Sequence, residues 1–177
     1  EMQPLVDAWR AANPNIVAFW NALDRAARTV IRRKTSARIG KVTLYWQDDK
    51  MFMRLPSGRN LCYQSPHFTE NGFGSDAIGY YAPNAAGQMV VQETFGGKLA
   101  ENATQAIARD ILAHALLTLE KNGYPVVFHV HDEAVIEKPT GQGSLEEACR
   151  LMAIAPDWAK DLPLRADGYE CAYYRKD

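Results

Sequence analysis

The run Pro125-Val126-Val127-Phe128, broken by His129-Val130-His131-Asp132-Glu133 and resumed by Ala134-Val135-Ile136-Glu137, restricts the local fold more than any other stretch of the chain. Apolar residues stop at a packed cluster of ionisable groups and restart at once. That pattern fits two short strands joined by a tight turn with His131-Asp132 at its tip. So short a connection cannot support a parallel crossover, and antiparallel pairing follows. Adjacent carboxylates at Asp132 and Glu133 are costly to hold together unless a cation or water compensates them, which makes the tip a candidate divalent-cation site with oxygen ligands. The plainer alternative is an exposed charged turn with no chemical role.

Upstream, Lys98 to Asn122 reads as one long helix, with Leu99, Ala103, Ala106, Ile107, Ala113, Leu116 and Leu117 recurring at helical spacing. Asn122-Gly123 is a stop signal, and Pro125 opens the strand that follows. Asn102, Gln105 and Arg109 make a polar stripe along that helix. Amides can address minor-groove acceptors, and a guanidinium can hold a phosphate. A solvated helix face explains the same stripe without nucleic acid.

The remaining pattern is mixed. Helical spacing covers Gln3 to Ala12 and Asn15 to Arg32, with the break at Asn13-Pro14, where proline suits the first turn of a new helix. Alternation then takes over from Ala37 to Tyr63: Val42, Leu44 and Trp46, a loop at Gln47-Asp48-Asp49-Lys50, then Met51, Met53 and Leu55. A second ribbon is expected through Ile78 to Tyr81 and Gln88 to Gln92 around Asn84-Ala85-Ala86-Gly87, with Asn71-Gly72-Phe73-Gly74-Ser75 as a mobile loop. Ser144 caps a helix with Glu146 and Glu147 in its first turn, running to about Ile154, and a final strand is expected near Arg165 to Tyr174. The fold class is α+β, antiparallel ribbons with helices on one face.

At 177 residues, a self-contained fold could bury roughly 70% of its unfolded surface. The apolar fraction of 47% is ordinary for a globular chain and gives no sign of disorder. Net charge is −1, so overall charge selects no partner, but Arg25, Arg28, Arg32, Arg33, Lys34, Arg38 and Lys41 form a basic stretch with no acid inside it. Such a run can neutralise phosphates, or can be a solvated helix end. Cys62, Cys149 and Cys171 show no zinc-type spacing and fit a reducing cytoplasm. No apolar run is long enough for a membrane helix, and no signal-peptide pattern is present.

Gln105-Ala106-Ile107-Ala108-Arg109-Asp110 on a helix, followed at the right distance by Val130-His131-Asp132-Glu133 on a hairpin, resembles the C-terminal palm of family A DNA polymerases, with the phage branch fitting best. In that family the helix carries Gln-x-x-x-x-Asp and the hairpin a His-Asp-Glu motif. Val6 to Val17 resembles the helix pair after the fingers, Leu55-Pro56-Ser57-Gly58-Arg59 the Gly-Arg element of the ribbon before the long helix, and Leu162-Pro163-Leu164 through Asp167-Gly168-Tyr169-Glu170 the last strand. The family's first carboxylate motif, an Asp followed by Glu-Leu-Arg, and its triphosphate-gripping fingers helix have no counterpart here. With Glu1 in place of an initiator Met, residues 1–177 are therefore expected to be a single partial domain, the C-terminal palm region of a larger polymerase.

The resemblance implies nucleotidyl transfer to a primer 3′-hydroxyl with two Mg²⁺ ions roughly 3.5 to 4 Å apart. It implies Asp132 as metal ligand, Glu133 beside it or acting through water, and His131 near the primer terminus. Gln105 and Asn102 would face the minor groove, and Arg109 and Arg59 the template or primer backbone. The implied partners are primer-template DNA, a dNTP and the rest of the polymerase chain, in the cytoplasm and away from membranes. Apolar surface left uncovered in a separated piece favours dimerisation. Two other readings compete. His129, His131 and Glu133 alternate as a His-His-carboxylate set for a mononuclear metal hydrolase, although His67 follows a proline in an expected loop and His114 sits in an apolar helix, leaving no further His partner. The second is a non-catalytic nucleic-acid-binding module.

Overall fold

The computed structural model describes residues 2–70, 72 and 74–175, which divide by their internal contacts into two units, Glu1–Ala106 and Ile107–Asp177. In the first unit, helix α1 (Gln3–Ala12) meets helix α2 (Pro14–Arg33) at Asn13, and Pro14 occupies the first helical position. Trp9 stacks on Trp20 across that corner, with ring centroids 5.5 Å apart. One stripe of α2, formed by Leu23, Ala27, Val30 and Ile31, is buried, and Lys34 ends the helix in the left-handed conformation.

The chain then makes a six-stranded antiparallel meander: β1 (Ser36–Ile39), β2 (Val42–Gln47), β3 (Lys50–Arg54), β4 (Asn60–Glu70), β5 (Asp76–Pro83) and β6 (Met89–Thr94), each paired with the next. Alternation sorts the side chains by face: Val42, Leu44, Met51, Met53, Tyr63 and Ile78 are buried together with the α2 stripe. Asp48 and Asp49 both have positive φ, the signature of the two-residue hairpin turn that matches strand twist. Asn84 Oδ1 accepts from the amides of Ala86 and Gln88, both at 3.0 Å, and so closes the β5–β6 turn. Of the expected mobile loop, Asn71 and Phe73 lie outside the described residues.

Two expectations fail in this region. Strand β4 runs past Tyr63 to Glu70, and His67, expected in a loop, belongs to it. Pro66 is accommodated because the ladder shifts register between Gln64 and His67, with Ser65 at φ 43°; a bulge is where an interior strand tolerates proline. The Leu55–Arg59 element is consequently the β3–β4 turn, and β4, β5 and β6 intervene before the long helix.

Helix α3 (Gly96–Lys121) begins in the first unit, where Leu99, Ala100 and Ala103 are buried. Its later turns bury Leu112, Ala115 and Leu119 in the second. Leu117, placed on the apolar face by the sequence, is 61% exposed: two residues from both Ala115 and Leu119, it points to nearly the opposite side of the helix. The helix ends in paired bonds, Tyr124 N–H to Leu119 O and Gly123 N–H to Glu120 O, with Gly123 at φ 75°. This is the Schellman closure that glycine favours.

The second unit continues with β7 (Val126–Val130) and β8 (Glu133–Ile136), then α4 (Leu145–Met152) and a short 3-10 turn at Asp157–Ala159. Ser144 Oγ caps α4 by accepting from Glu147 N–H. Leu119, Tyr124, Ala148 and Leu151 form its core, joined by half-buried Val126, Ala134, Ile136 and Met152. The strand expected from Arg165 to Tyr174 does not form. The tail meets the hairpin through side chains instead: Tyr174 sits edge-on to Phe128 at 5.0 Å, without backbone pairing among the described residues.

Candidate active-site hairpin and nucleic-acid helix

The turn between β7 and β8 is as short as the sequence implies. Val130 pairs with Glu133, leaving His131 and Asp132 as the connection. His131 has φ 52°, a conformation that a non-glycine residue adopts only when the surrounding structure holds it there. Register is fixed by Ala134 and Ile136, whose side chains lean on the core of this unit, so the tip cannot slip without exposing them. His129, His131, Asp132 and Glu133 are all exposed. Tyr174 brings its hydroxyl to 3.5 Å from Glu133 Oε2, a contact the sequence reading missed because the tail was taken as a strand.

The hairpin offers two adjacent carboxylates, hard oxygen donors open to water, which is what Mg²⁺ accepts when it keeps part of its hydration shell. No group of three or more His, Cys, Asp or Glu side chains converges on a common point among the described residues. Asp132 and Glu133 therefore fit part of a magnesium site and not a whole one. The His-His-carboxylate alternative loses its geometric basis here, since the positive φ at His131 interrupts the strand alternation that was to align it with His129 and Glu133.

On α3, Gln105 and Arg109 are exposed one turn apart. Gln105 Nε2 lies 3.5 Å from Glu101 Oε1, too long to hold it firmly. Asn102 is half-buried and donates to the Tyr63 hydroxyl at 3.1 Å, and Arg59 Nη2 donates to Ala106 O at 2.8 Å. Both thus bind parts of the first unit to α3. Burial pushes the Tyr63 phenol up to about 12, against the opposing pull of the Asn102 hydrogen bond.

Much of the basic stretch is also engaged within the fold. Arg28 pairs with Asp24 at 2.6 Å and donates to Asp76 O at 3.0 Å. Arg32 lies over Phe68, 5.3 Å from the ring centroid, and Lys34 over Trp46 at 3.1 Å.

Compared with known proteins, the chain is 40% identical over 179 aligned residues to the DNA polymerase of Bacillus phage SP02. The chain is homologous to a segment of a phage DNA polymerase. All of it is covered by the alignment, whereas it spans 28% of that polymerase. No protein-family model matches it, and no solved structure does. No helix among the described residues is long and apolar enough to cross a membrane.

Proposed function

We propose that the chain is the C-terminal palm region of a family A DNA-directed DNA polymerase and contributes to template-directed nucleotidyl transfer onto a primer 3′-hydroxyl. The observation that carries this reading is the 40% identity, along the whole of this chain, to part of a phage DNA polymerase. The exposed turn with its two adjacent carboxylates supports giving the metal role to Asp132 and Glu133.

Asp132 would hold Mg²⁺ directly, and Glu133 would do so through water or by shaping the field around it. Bound divalent cations supply Lewis acidity at the primer hydroxyl and charge neutralisation at the leaving pyrophosphate. His131 approaches the primer terminus from the turn. Gln105 donates to the minor-groove edge of the terminal pair, where every base pair offers an acceptor, so the contact checks pair shape without reading sequence. Arg109 holds a backbone phosphate. Arg59 and Asn102 serve as further primer or template contacts. Primer-template DNA, a dNTP and the remainder of the polymerase are the partners, in the cytoplasm of the infected cell.

Two carboxylates on one turn are too few for two cations, so this chain alone should bind Mg²⁺ weakly and extend no primer. Extension is expected once it is joined to a segment carrying the first carboxylate motif and the fingers helix. Stoichiometric micromolar Mg²⁺ binding by the isolated chain in a calorimetric titration, or no extension by the completed polymerase, would overturn the reading.

A further inference from the structure

The meander has a second face, and its composition is distinctive. Register places Tyr45, Phe52 and Cys62 in one row across β2, β3 and β4, with Thr43, Arg54 and Asn60 in the next row and Gln47, Lys50 and Gln64 on the other side. These positions alternate with the buried Leu44, Met51 and Met53, so they point away from the core of the first unit. Tyr45 and Phe52 are stacked, centroids 5.3 Å apart and planes 20° from parallel, and the Arg54 guanidinium lies over Tyr45 at 5.3 Å. Arg38, paired with Thr43 on β1, adds a third cation to Lys50 and Arg54. In the paired rows of β1, β2, β3 and residues 60–64 of β4 no outward position carries a carboxylate; at the β2–β3 turn Asp48 accepts from Gln47 Nε2 at 3.2 Å. Both aromatics are partly exposed, and Arg38, Arg54 and Cys62 are exposed.

We propose that this face binds single-stranded DNA, one base stacking on the Tyr45–Phe52 pair while Arg38, Lys50 and Arg54 track the phosphates. An aromatic platform ringed by cations suits unpaired bases, whose π-faces are available, and not duplex DNA, whose bases are already stacked. Charge complementarity favours a polyanion along the Arg38–Arg54 side of the patch, since the two carboxylates that border it, Asp48 and Asp49, stand in the β2–β3 turn at the Lys50 end. The choice of DNA rests on the polymerase reading above, in which single-stranded template must lie close to the enzyme. The site is distinct from the residues assigned to the reaction, none of which belongs to this face.

The test uses the 177-residue chain with a fluorescein-labelled oligothymidylate and a blunt duplex of equal length, read by anisotropy over a salt series. The single strand should bind more tightly than the duplex. Phe52→Ala should weaken it about tenfold, as loss of one stacked base does, and Phe52→Trp should retain it. Arg54→Gln should lower the slope of log K against log salt by about 0.7. Melting curves identify any variant that fails to fold, and for that case an oligonucleotide bearing 5-iododeoxyuridine is photocrosslinked to the unsubstituted chain. A crosslink at Tyr45 or Phe52 supports the proposal. Crosslinks confined to other residues, equal affinity for the duplex, or wild-type binding by folded Phe52→Ala would overturn it. None of these outcomes depends on primer extension, so this proposal and the polymerase reading can fail separately.

Discussion

Gln105 and Asn102 share a helix face in the sequence, yet their surroundings divide their work. Asn102 spends a donor on buried Tyr63, while Gln105 stays exposed with only a long contact to Glu101. Replacing Gln105 with Ala should weaken primer-template affinity several-fold, within the loss of about 1 kcal/mol typical of one hydrogen bond, and leave sequence preference unchanged. A changed preference in a binding assay over varied terminal pairs would count against the minor-groove role. Tyr63 gives a pH prediction. Its folded value of about 12 stands above the unfolded value of 10.0, so between those limits the folded chain holds more protons. Its contribution is complete below pH 10.0 and disappears as pH rises through the folded value. The unfolding free energy from urea titrations should fall across that window by on the order of 2 kcal/mol from this group. Tyr63→Phe should show a shallower fall; an identical one would refute the burial argument. The candidate residues at the hairpin were legible because ionisable groups crowded into an apolar run stand out. The engagement of Asn102 and Arg59 was not, since it depends on partners 39 and 47 positions away in the chain.

Among the elements, those with a strong period or a strong stop were readable. Both N-terminal helices, the β2–β3 and β5–β6 ribbons, α3 with its Gly123 closure, the β7–β8 hairpin and capped α4 all appear close to where propensity and spacing put them. Strand β4 beyond Tyr63 was hidden by Pro66, which ordinarily argues against an interior strand and is admitted here by the bulge. The C-terminal tail misled in the opposite sense, its tyrosines suggesting a strand where they make only side-chain contacts with the hairpin. Among the described glycines the tightest surroundings are at Gly96, where an added Cβ would collide with the Trp20 carbonyl oxygen. Backbone cannot yield as a flexible side chain does, so α2 and the start of α3 require glycine there. Gly96→Ala should destabilise the chain by about 1–3 kcal/mol in denaturant unfolding. A stability equal to wild type would mean that the two helices part easily.

Taken as a whole, the chain divides into two units and spans 28% of the phage polymerase it matches. Helix α1 buries none of its residues, and Met2, Leu5 and Trp9 are 79%, 72% and 45% exposed. In isolation that apolar surface should drive weak dimerisation, visible as a concentration-dependent sedimentation coefficient and suppressed by Leu5→Glu. A monomer at all concentrations would contradict the expected dimerisation. The chemical assignment rests on Asp132 at the hairpin tip. Primer extension by the full-length polymerase carrying Asp132→Asn, measured beside its affinity for primer-template DNA, probes it most directly. Extension should drop at least about a hundredfold, in the range seen on loss of one group that stabilises transition-state charge, while DNA affinity and thermal stability stay near wild type. Extension at the wild-type rate would contradict the metal-binding role of this turn.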